Sequence, residues 1–526
     1  MTNADREVIS TLVRREHFRD EYRRRRDPIA EDRLMWRSQI FRHLTHTIPG
    51  QSILELGCGD GSFTRHLMRI SRGENPITVT SFQKIPRPAE LPPAVEFLAG
   101  ADHLQTLAGR SFDLIVGIDL LDGRVSASLL QWTHDRLVPG GQVIFFESNP
   151  WNVMLRARRR IQAWFSKSRD PRVLLSRREL YELMSEIGLI RIFAVYSDFV
   201  YAPLSPRIAW LLRNLSIVLE NAPFIRALAG TIIVHAQKPP RTLRRPEMSL
   251  CRHGVLNEAV SVVIPCHNEG RNVEGLVDRL RGLYGEYLCQ IVLVDDNSTD
   301  NTREVIERLA ASDMRVTPVI RTPPNGVGRA LADGFRAATG RWVMSMDCDF
   351  QNLLPELRDI FDAAAAGFDV VVGSRFSRHS VLLNYPALKI VANRAFHLGA
   401  RILLQRQFRD LTNNLKLFRR DILQKLILTQ PGFAVNAETG FQPLLMGAKV
   451  KEVPISWINR TPGMGSSSFK LMKVGGSYTH VLARLWLRCV FGTGPYQFQI
   501  DLTARSTSGG DGSFADLPGA PEVLGN

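Results

Sequence analysis

At 526 residues the chain is too long for a single hydrophobic core, and ordinary domain sizes predict roughly two to four folding units. Its 44% hydrophobic and 23% charged content excludes a disordered or collagen-like chain. The excess of 67 Lys and Arg over 52 Asp and Glu, a net +15, selects for anionic partners: nucleic acid, phosphorylated substrates or an acidic lipid surface.

Residues 1–34 form a basic arm, charged throughout and without the apolar stretch of a signal peptide. The cysteines (Cys58, Cys251, Cys266, Cys289, Cys348, Cys489) include no CxxC pair, which argues against a zinc ribbon or a disulfide framework and for a reducing, cytoplasmic setting. No apolar run reaches the ~18 to 20 residues that span a bilayer, so membrane contact is expected to be peripheral, at the inner face of the cytoplasmic membrane. Two strand-then-polar signals open alternating strand and helix patterns at 35–238 and 259–500, the reading of two α/β domains in series. Pro- and Arg-rich residues 239–258 read as a linker, and the Gly-, Ser- and Pro-rich tail 501–526 as disordered.

In the first half, the apolar strand from Ser52 through Glu55 to Leu56 runs into Gly57-Cys58-Gly59-Asp60-Gly61 and then a helical stretch, SFTRHLMRI. Glycines there let the backbone turn tightly beside a helix N-terminus and approach a ligand, although a tight turn in any α/β protein reads the same way. Downstream come a buried strand, Phe112 to Val116, and RLVPGGQVIFFE, read as a helix end, a Pro-Gly-Gly turn and another strand. This ordered set, with ESNPWN and TIIVHAQK behind it, resembles the class I S-adenosylmethionine-dependent methyltransferases and implies their Rossmann-like fold. The resemblance implies S-adenosylmethionine as cofactor, with Glu55, Gly57, Gly59 and Gly61 around it and Asp102 near the adenine; Asp102 fits a helix cap equally well. An acid ending the second strand would bind the ribose hydroxyls, but ITVTSF (Ile77 to Phe82) ends without one, and Ser81 replaces only part of its bonding. Modest cofactor affinity is the expectation, with a non-catalytic scaffold of the same fold as the alternative.

In the second half, strand Ser261–Pro265 ends at Cys266-His267-Asn268-Glu269, strand Ile291–Val294 ends at Asp295-Asp296-Asn297-Ser298, and strand Trp342–Met346 ends at Asp347-Cys348-Asp349-Phe350-Gln351. All three place polar groups at strand carboxyl ends, the edge where open α/β sheets bind ligands. Two aspartates one residue apart offer hard oxygens to Mg²⁺ or Mn²⁺, while a lone DxD is more often solvated charge. With NGVGRALADGF, VVGSRF, DLTNNLKLFRRDIL and EVPISWINR, the stretch resembles glycosyltransferase family 2 of GT-A fold, nearest to the dolichol-phosphate mannosyltransferase and polyprenyl-phosphate group. The resemblance places Pro265, His267, Glu269, Val294 and Asp296 at the nucleoside. It places Asp347, Cys348, Asp349 and Gln351 at the diphosphate, with Asp347, Asp349 and Gln351 on the metal. Arg375 is placed at the sugar or phosphate, and Arg460 and Lys470 at the acceptor phosphate. His267 stands where tyrosine is usual, DLTNNLK replaces DxTSGFR, and GMGSSSFK is longer than the compact GxSK pattern.

This implies transfer from a nucleotide sugar, with inversion, to a polyprenyl phosphate or a glycan. An ionised lipid phosphate attacks unaided, whereas a sugar hydroxyl needs a base, for which Asp410 and Glu438 are the candidates. YTHVLARLWLRCVF, with Val481, Leu482, Leu485, Trp486, Cys489 and Val490 at helical spacing, suits either a bilayer surface or packing on the sheet; Asn384–Leu404, with Arg394 and Arg401, is a second lipid-facing candidate. The runs Arg23–Asp27 and Arg156–Arg160 leave a nucleic-acid methyltransferase or binder as the lowest-ranked alternative, because arginine runs usually form solvated faces and no recognition motif accompanies them.

Overall fold

A computed structural model of the chain describes residues 9–16, 30–89, 91–100, 106–157, 160, 173–200, 206–240, 248–377, 379–458 and 471–499. They fall into two compact units, the first within Met1–Arg245 together with Leu382–Ala387, the second within Pro246–Val381 and Leu388–Asn526. The expected disordered tail, and linker residues 241–247, lie outside the described residues.

Unit 1 is a seven-stranded sheet of β1 (Ile53–Leu56), β2 (Ile77–Ser81), β3 (Glu96–Ala99), β4 (Phe112–Ile118), β5 (Leu137–Ser148), β6 (Ile190–Ser197) and β7 (Thr231–Gln237), in the order β3-β2-β1-β4-β5-β7-β6. β1 to β5 run parallel, and β7 inserts antiparallel between β5 and β6. All four residues of β1 and all five of β2 are buried, as in parallel strands covered on both faces, although Glu55, Thr78, Thr80 and Ser81 are polar. Ile53 pairs with Ile77 on one side and Leu114 on the other, so the carboxyl ends of β2, β1 and β4 open onto one edge, with the strand order reversing between β1 and β4. The Pro-Gly-Gly segment lies within the bounds of β5, with Gly140 at a φ of 83°. Helix Ser126–Arg136 stops at Arg136, β5 begins at Leu137, and the register with β4 shifts across residues 138–141, between the pairs Phe112–Leu137 and Leu114–Gln142. Part of the basic arm, residues 9–16, is a helix (α1) whose Leu12 joins the unit 1 core, with Arg15 and Glu16 buried beside it.

Unit 2 is built on β8 (Val260–Cys266), β9 (Leu288–Asp295), β10 (Val316–Ile320), β11 (Trp342–Ser345) and β12 (Val370–Ser374), with strands Lys416–Arg419 and Val450–Pro454. The order is β10, β9, β8, β11, Lys416–Arg419, β12, Val450–Pro454; Lys416–Arg419 is antiparallel to both neighbours and the other pairs are parallel. Valines of β8, β9, β11 and β12 share one core cluster with Phe418 and Phe441. Helix Val327–Ala337 lies so close to the sheet that a Cβ on Gly334 would sit 2.4 Å from Val263 Cγ1, which accounts for the glycine within a helix.

The two lipid-facing candidates separate. In helix Leu471–Phe491, Val481, Leu482 and Leu485 are buried in the core with Trp486 and Cys489 packed against it, whereas Val490 is exposed. In helix Ala387–Leu404, Leu388, Val391, Leu398 and Ile402 are exposed at three- and four-residue multiples along one face. No helix among the described residues is long and apolar enough to cross a membrane.

Candidate functional sites

The edge of unit 2 is organised by strand pairing. Pro265 lies opposite Val294 and Cys266 opposite Asp295, and the Asp296 N–H donates to the Cys266 carbonyl at 2.8 Å, so the β8 and β9 motifs arrive side by side. β11 joins through Ser345 opposite Val263, and the Met346 N–H donates to the Val263 carbonyl at 3.2 Å, which carries Asp347 and Asp349 to the same edge. His267 contacts the Asp296 carbonyl through Nδ1 at 3.1 Å; Glu269 accepts the Asn272 amide at 2.5 Å. Asp296 is held by the Arg321 guanidinium and by the Gly326 N–H at 2.7 Å. Val294 is wholly buried, so it offers a ligand only backbone. Cys348 is likewise buried, its thiol pushed well up by a hydrogen bond with Cys266 and by burial.

Asp349 is exposed at the edge, and Asp347 is partly buried behind it. Loss of water around its carboxylate, followed by the neighbouring Asp349 charge, pushes Asp347 up to about 7, against a stabilising 2.7 Å bond from the Asn414 amide. Such a carboxylate favours a proton or a cation. Among the described residues no cluster of three His, Cys, Asp or Glu could enclose a metal. Two carboxylates with positions left for phosphate oxygens and water fit the way Mg²⁺ is held at diphosphate sites.

Behind this edge lies a paired charge. Arg375 Nε and Nη2 donate to the two oxygens of Asp410 at 2.7 and 3.0 Å, and Asp410 is fully buried. The Arg375 guanidinium overcomes the cost of burial and holds Asp410 well below the usual carboxylate range. Asp410 is therefore no proton acceptor as it stands, and it fixes the direction of Arg375. Glu452 fastens the Asp410 loop, accepting the Arg409 and Asp410 N–H groups at 2.8 and 2.6 Å. Glu438 is also buried, accepting from Thr429, Gln430 and Tyr496, which makes it a structural hub. Lys416, last residue of DLTNNLK, is wholly buried and pushed down to about 7 by burial; its Nζ donates to the Asn436 carbonyl at 3.2 Å and Thr439 Oγ1 at 3.1 Å. Lysine reads in sequence as surface charge, so nothing there marked it. Arg460, Lys470 and Asp102 lie outside the described residues, as does the Gln351 side chain.

In unit 1 the turn after β1 takes the conformation its glycines allow, with φ of 63°, 60° and 83° at Gly57, Gly59 and Gly61. The Cys58 N–H donates to the Thr80 carbonyl at 2.7 Å and the Gly57 N–H to Thr80 Oγ1 at 3.2 Å, tying the turn to the end of β2. Glu55 is buried and accepts the Thr64 hydroxyl at 2.6 Å, bracing strand to following helix. The end of β2 does meet a carboxylate, from α1. Glu16 Oε2 accepts the Ser81 hydroxyl at 3.1 Å and the Phe82 and Gln83 N–H groups at 2.6 and 3.2 Å, while Oε1 receives the Gly59 N–H at 3.4 Å. Arg15 donates to the Asp119 carbonyl just beyond β4. Only the spacing of Leu12, Arg15 and Glu16 on one helical face hints at this in sequence.

Residues 261–427 match the Glycosyl transferase family 2 profile and residues 21–190 a Methyltransferase domain profile. The polyprenol monophosphomannose synthase of Mycolicibacterium smegmatis is 30% identical over 214 residues, covering 39% of this chain and 80% of that protein. The dolichol-phosphate mannosyltransferase of Pyrococcus furiosus is 30% identical over 208 residues, covering 39% of this chain and 58% of that protein. Similar solved structures include glucosyl-3-phosphoglycerate synthase from Mycobacterium tuberculosis with Mn²⁺, UDP and phosphoglyceric acid, at 21% identity and TM-score 0.35 over 47% of this chain and 85% of that one. Another is a SAM dependent methyltransferase from Archaeoglobus fulgidus, at 12% identity and TM-score 0.27 over 40% of this chain and 95% of that one. With its three strand-end motifs on one edge and these sequence relatives, the chain belongs through its second unit to glycosyltransferase family 2, joined to a methyltransferase-type domain in its first.

Proposed function

We propose that unit 2 transfers a hexosyl group, with mannose the first candidate from the relatives' names, from a nucleoside-diphosphate sugar to a polyprenyl phosphate, with inversion. The observation that carries this reading is the Asp347–Asp349 pair at the end of β11, one carboxylate exposed and the other poised near neutrality. Asp347 and Asp349 would hold Mg²⁺ or Mn²⁺, which when bound supplies positive charge against the departing diphosphate. The β8 and β9 ends supply His267, Glu269 and Asp296 around the nucleoside. Arg375, aimed by Asp410, supplies fixed positive charge at the reacting sugar or phosphate. A lipid phosphate is ionised at neutral pH and needs no base, which agrees with Asp410 and Glu438 both being engaged elsewhere. The exposed row Leu388, Val391, Leu398 and Ile402 suits a lipid surface, with Arg394 and Arg401 on the same helix for its phosphates. Arg460 and Lys470 remain proposed acceptor contacts from the family pattern.

For unit 1 we propose methyl transfer from S-adenosylmethionine, which when bound supplies the electrophilic methyl group. The positive-φ glycine turn from Gly57 to Gly61 would hold it by main chain, with Asp102 near the adenine. The test of the glycosyl reading is a screen of purified protein against nucleoside-diphosphate sugars, reading released nucleoside diphosphate with and without polyprenyl phosphate. One donor should give acceptor-dependent release that EDTA stops; release from none, or release indifferent to EDTA, would overturn it.

A further inference from the structure

We propose that unit 1 carries a membrane-docking face of its own, formed where the segment after β5 meets the segment before β7, and that its partner is a bilayer surface bearing anionic lipid; the inference stands apart from the chemistry proposed for either unit. Position is the first argument. The Asn149 amide donates to the Ala227 and Ala229 carbonyls at 2.8 and 2.7 Å and the Asn152 amide to the Leu228 carbonyl at 2.5 Å, so two loops distant in the chain form one surface. Ser148 ends β5 opposite Thr231, the first residue of β7, which puts this surface at the carboxyl end of β5. The glycine turn after β1 lies on the same edge of the sheet, across β4.

Exposure is the second. Trp151, Val153 and Met154 on one loop are 56%, 60% and 59% exposed, and on the other Phe224 is 92% and Ile225 44% exposed. Apolar side chains gathered in water on two joined loops mark a contact surface, unlike single hydrophobic residues scattered over a protein. Phe224 also holds φ 66° and ψ −50°, a region that bulky side chains seldom enter. Packing does not offset that strain, because the ring is almost wholly in water; the backbone instead holds an aromatic side chain out from the surface.

Charge selects the occupant. No Asp or Glu stands between Glu147 and Asp170 or between Glu220 and Glu247, the two stretches that hold these loops, and the first contains the basic run Arg156–Arg160, which has no part in the site of either unit. Arg156 and Arg160 are exposed, and Arg226 follows Ile225. Apolar and basic side chains interleaved without acids suit the headgroup layer of a bilayer, where rings and aliphatic chains enter the acyl boundary and guanidinium groups meet lipid phosphate. A second copy seated face to face would instead set the same arginines against one another with no acid on the face to pair them.

The test is co-sedimentation of the full-length protein with phosphatidylcholine vesicles containing about 30 mol% phosphatidylglycerol, and with vesicles of phosphatidylcholine alone, for wild type, Trp151→Asp and Phe224→Gly. Glycine adopts a positive φ without strain, so Phe224→Gly removes the ring and keeps the fold, which an unlowered thermal transition verifies. Wild type should bind the anionic vesicles more tightly than the neutral ones, and each variant should bind the anionic vesicles about tenfold more weakly, the low end of what burying one aromatic side chain contributes. Wild-type affinity in both variants would overturn the proposal; loss of binding in Ile402→Asp alongside that result would leave helix Ala387–Leu404 as the lipid contact. Equal wild-type binding to the two kinds of vesicle would overturn the assignment of an anionic surface. A wild type that is dimeric by light scattering, with both variants monomeric and vesicle binding unchanged, would overturn the proposal in favour of a second copy. Sedimentation of wild type with neither vesicle would overturn this inference and the lipid-facing reading of helix Ala387–Leu404 together, while the nucleotide-sugar screen judges the glycosyl reading separately.

Discussion

Unit 1 and unit 2 both gather polar groups at the carboxyl ends of parallel strands, but they obtain their acids differently. In unit 2, Asp295, Asp296, Asp347 and Asp349 end or directly follow β9 and β11, so each strand brings its own carboxylates to the edge. In unit 1, β2 ends at Ser81, and the carboxylate bonded there is Glu16 from an N-terminal helix. A strand that carries its own acid needs only sheet register to place it. A borrowed acid also needs a helix anchored in the core, here through Leu12, so this edge is coupled to the order of the arm.

The sharpest break of that contrast is Asp349→Ala. Asp349 is exposed and carries little packing, so the fold should persist while sugar transfer falls by about 10²- to 10³-fold, the scale for losing one charge-stabilising group. Transfer surviving both this change and EDTA would show that the strand-end pair is not the centre of the site.

Of comparable size, but on stability, is the effect of Asp410→Asn, which leaves the Arg375 guanidinium without its buried partner. Breaking a buried pair from one side costs about 3 to 5 kcal/mol, so the thermal transition of unit 2 should drop markedly in calorimetry while that of unit 1 stays in place. An unmoved transition would mean that Arg375 turns to solvent without cost.

Glu147 of β5 gives the corresponding effect in unit 1. It is buried, accepts the Leu120 and Leu121 N–H groups at 2.9 and 3.0 Å, and is raised to about 7 by burial and then by Asp119. The unfolded chain ionises at the ordinary 4.5, whereas the folded protein keeps its proton to about 7. Stability from this group is therefore full below 4.5, declines as pH rises to about 7, and is constant above. Over that window wild type should lose up to about 3 kcal/mol relative to Glu147→Gln, a difference read from melts at pH 5 and pH 8. Parallel pH profiles would remove Glu147 as the source. Smallest is Ile402→Asp on the exposed row. Stability should change by no more than about 0.5 kcal/mol, while co-sedimentation with anionic vesicles should fall several-fold; unchanged co-sedimentation would take this helix off the lipid surface.

What was legible in the sequence follows the same division. The β8, β9 and β11 motifs could be read because chemistry and strand end are adjacent in the chain, and the glycine turn because Gly57, Gly59 and Gly61 need positive φ within five residues. Asp410 reads in sequence as a candidate base because sequence shows a carboxylate but not the arginine that neutralises it. The Pro-Gly-Gly segment reads as a break between elements because proline and glycine punctuate loops, whereas β5 runs through it with a shift of register. Nothing in the sequence marks Lys416 or Glu16, because charged side chains carry no local sign of burial and their partners lie on other elements.

The central question is whether this chain makes a polyprenyl-phosphate hexose. The measurement is mass-spectrometric analysis of lipid product after incubation with a nucleoside-diphosphate hexose, Mg²⁺ or Mn²⁺ and polyprenyl phosphate, for wild type beside Asp349→Ala. Wild type should yield the glycosylated lipid phosphate with inverted anomeric configuration, and Asp349→Ala should yield next to none. A retained configuration, or equal product from both proteins, would contradict it.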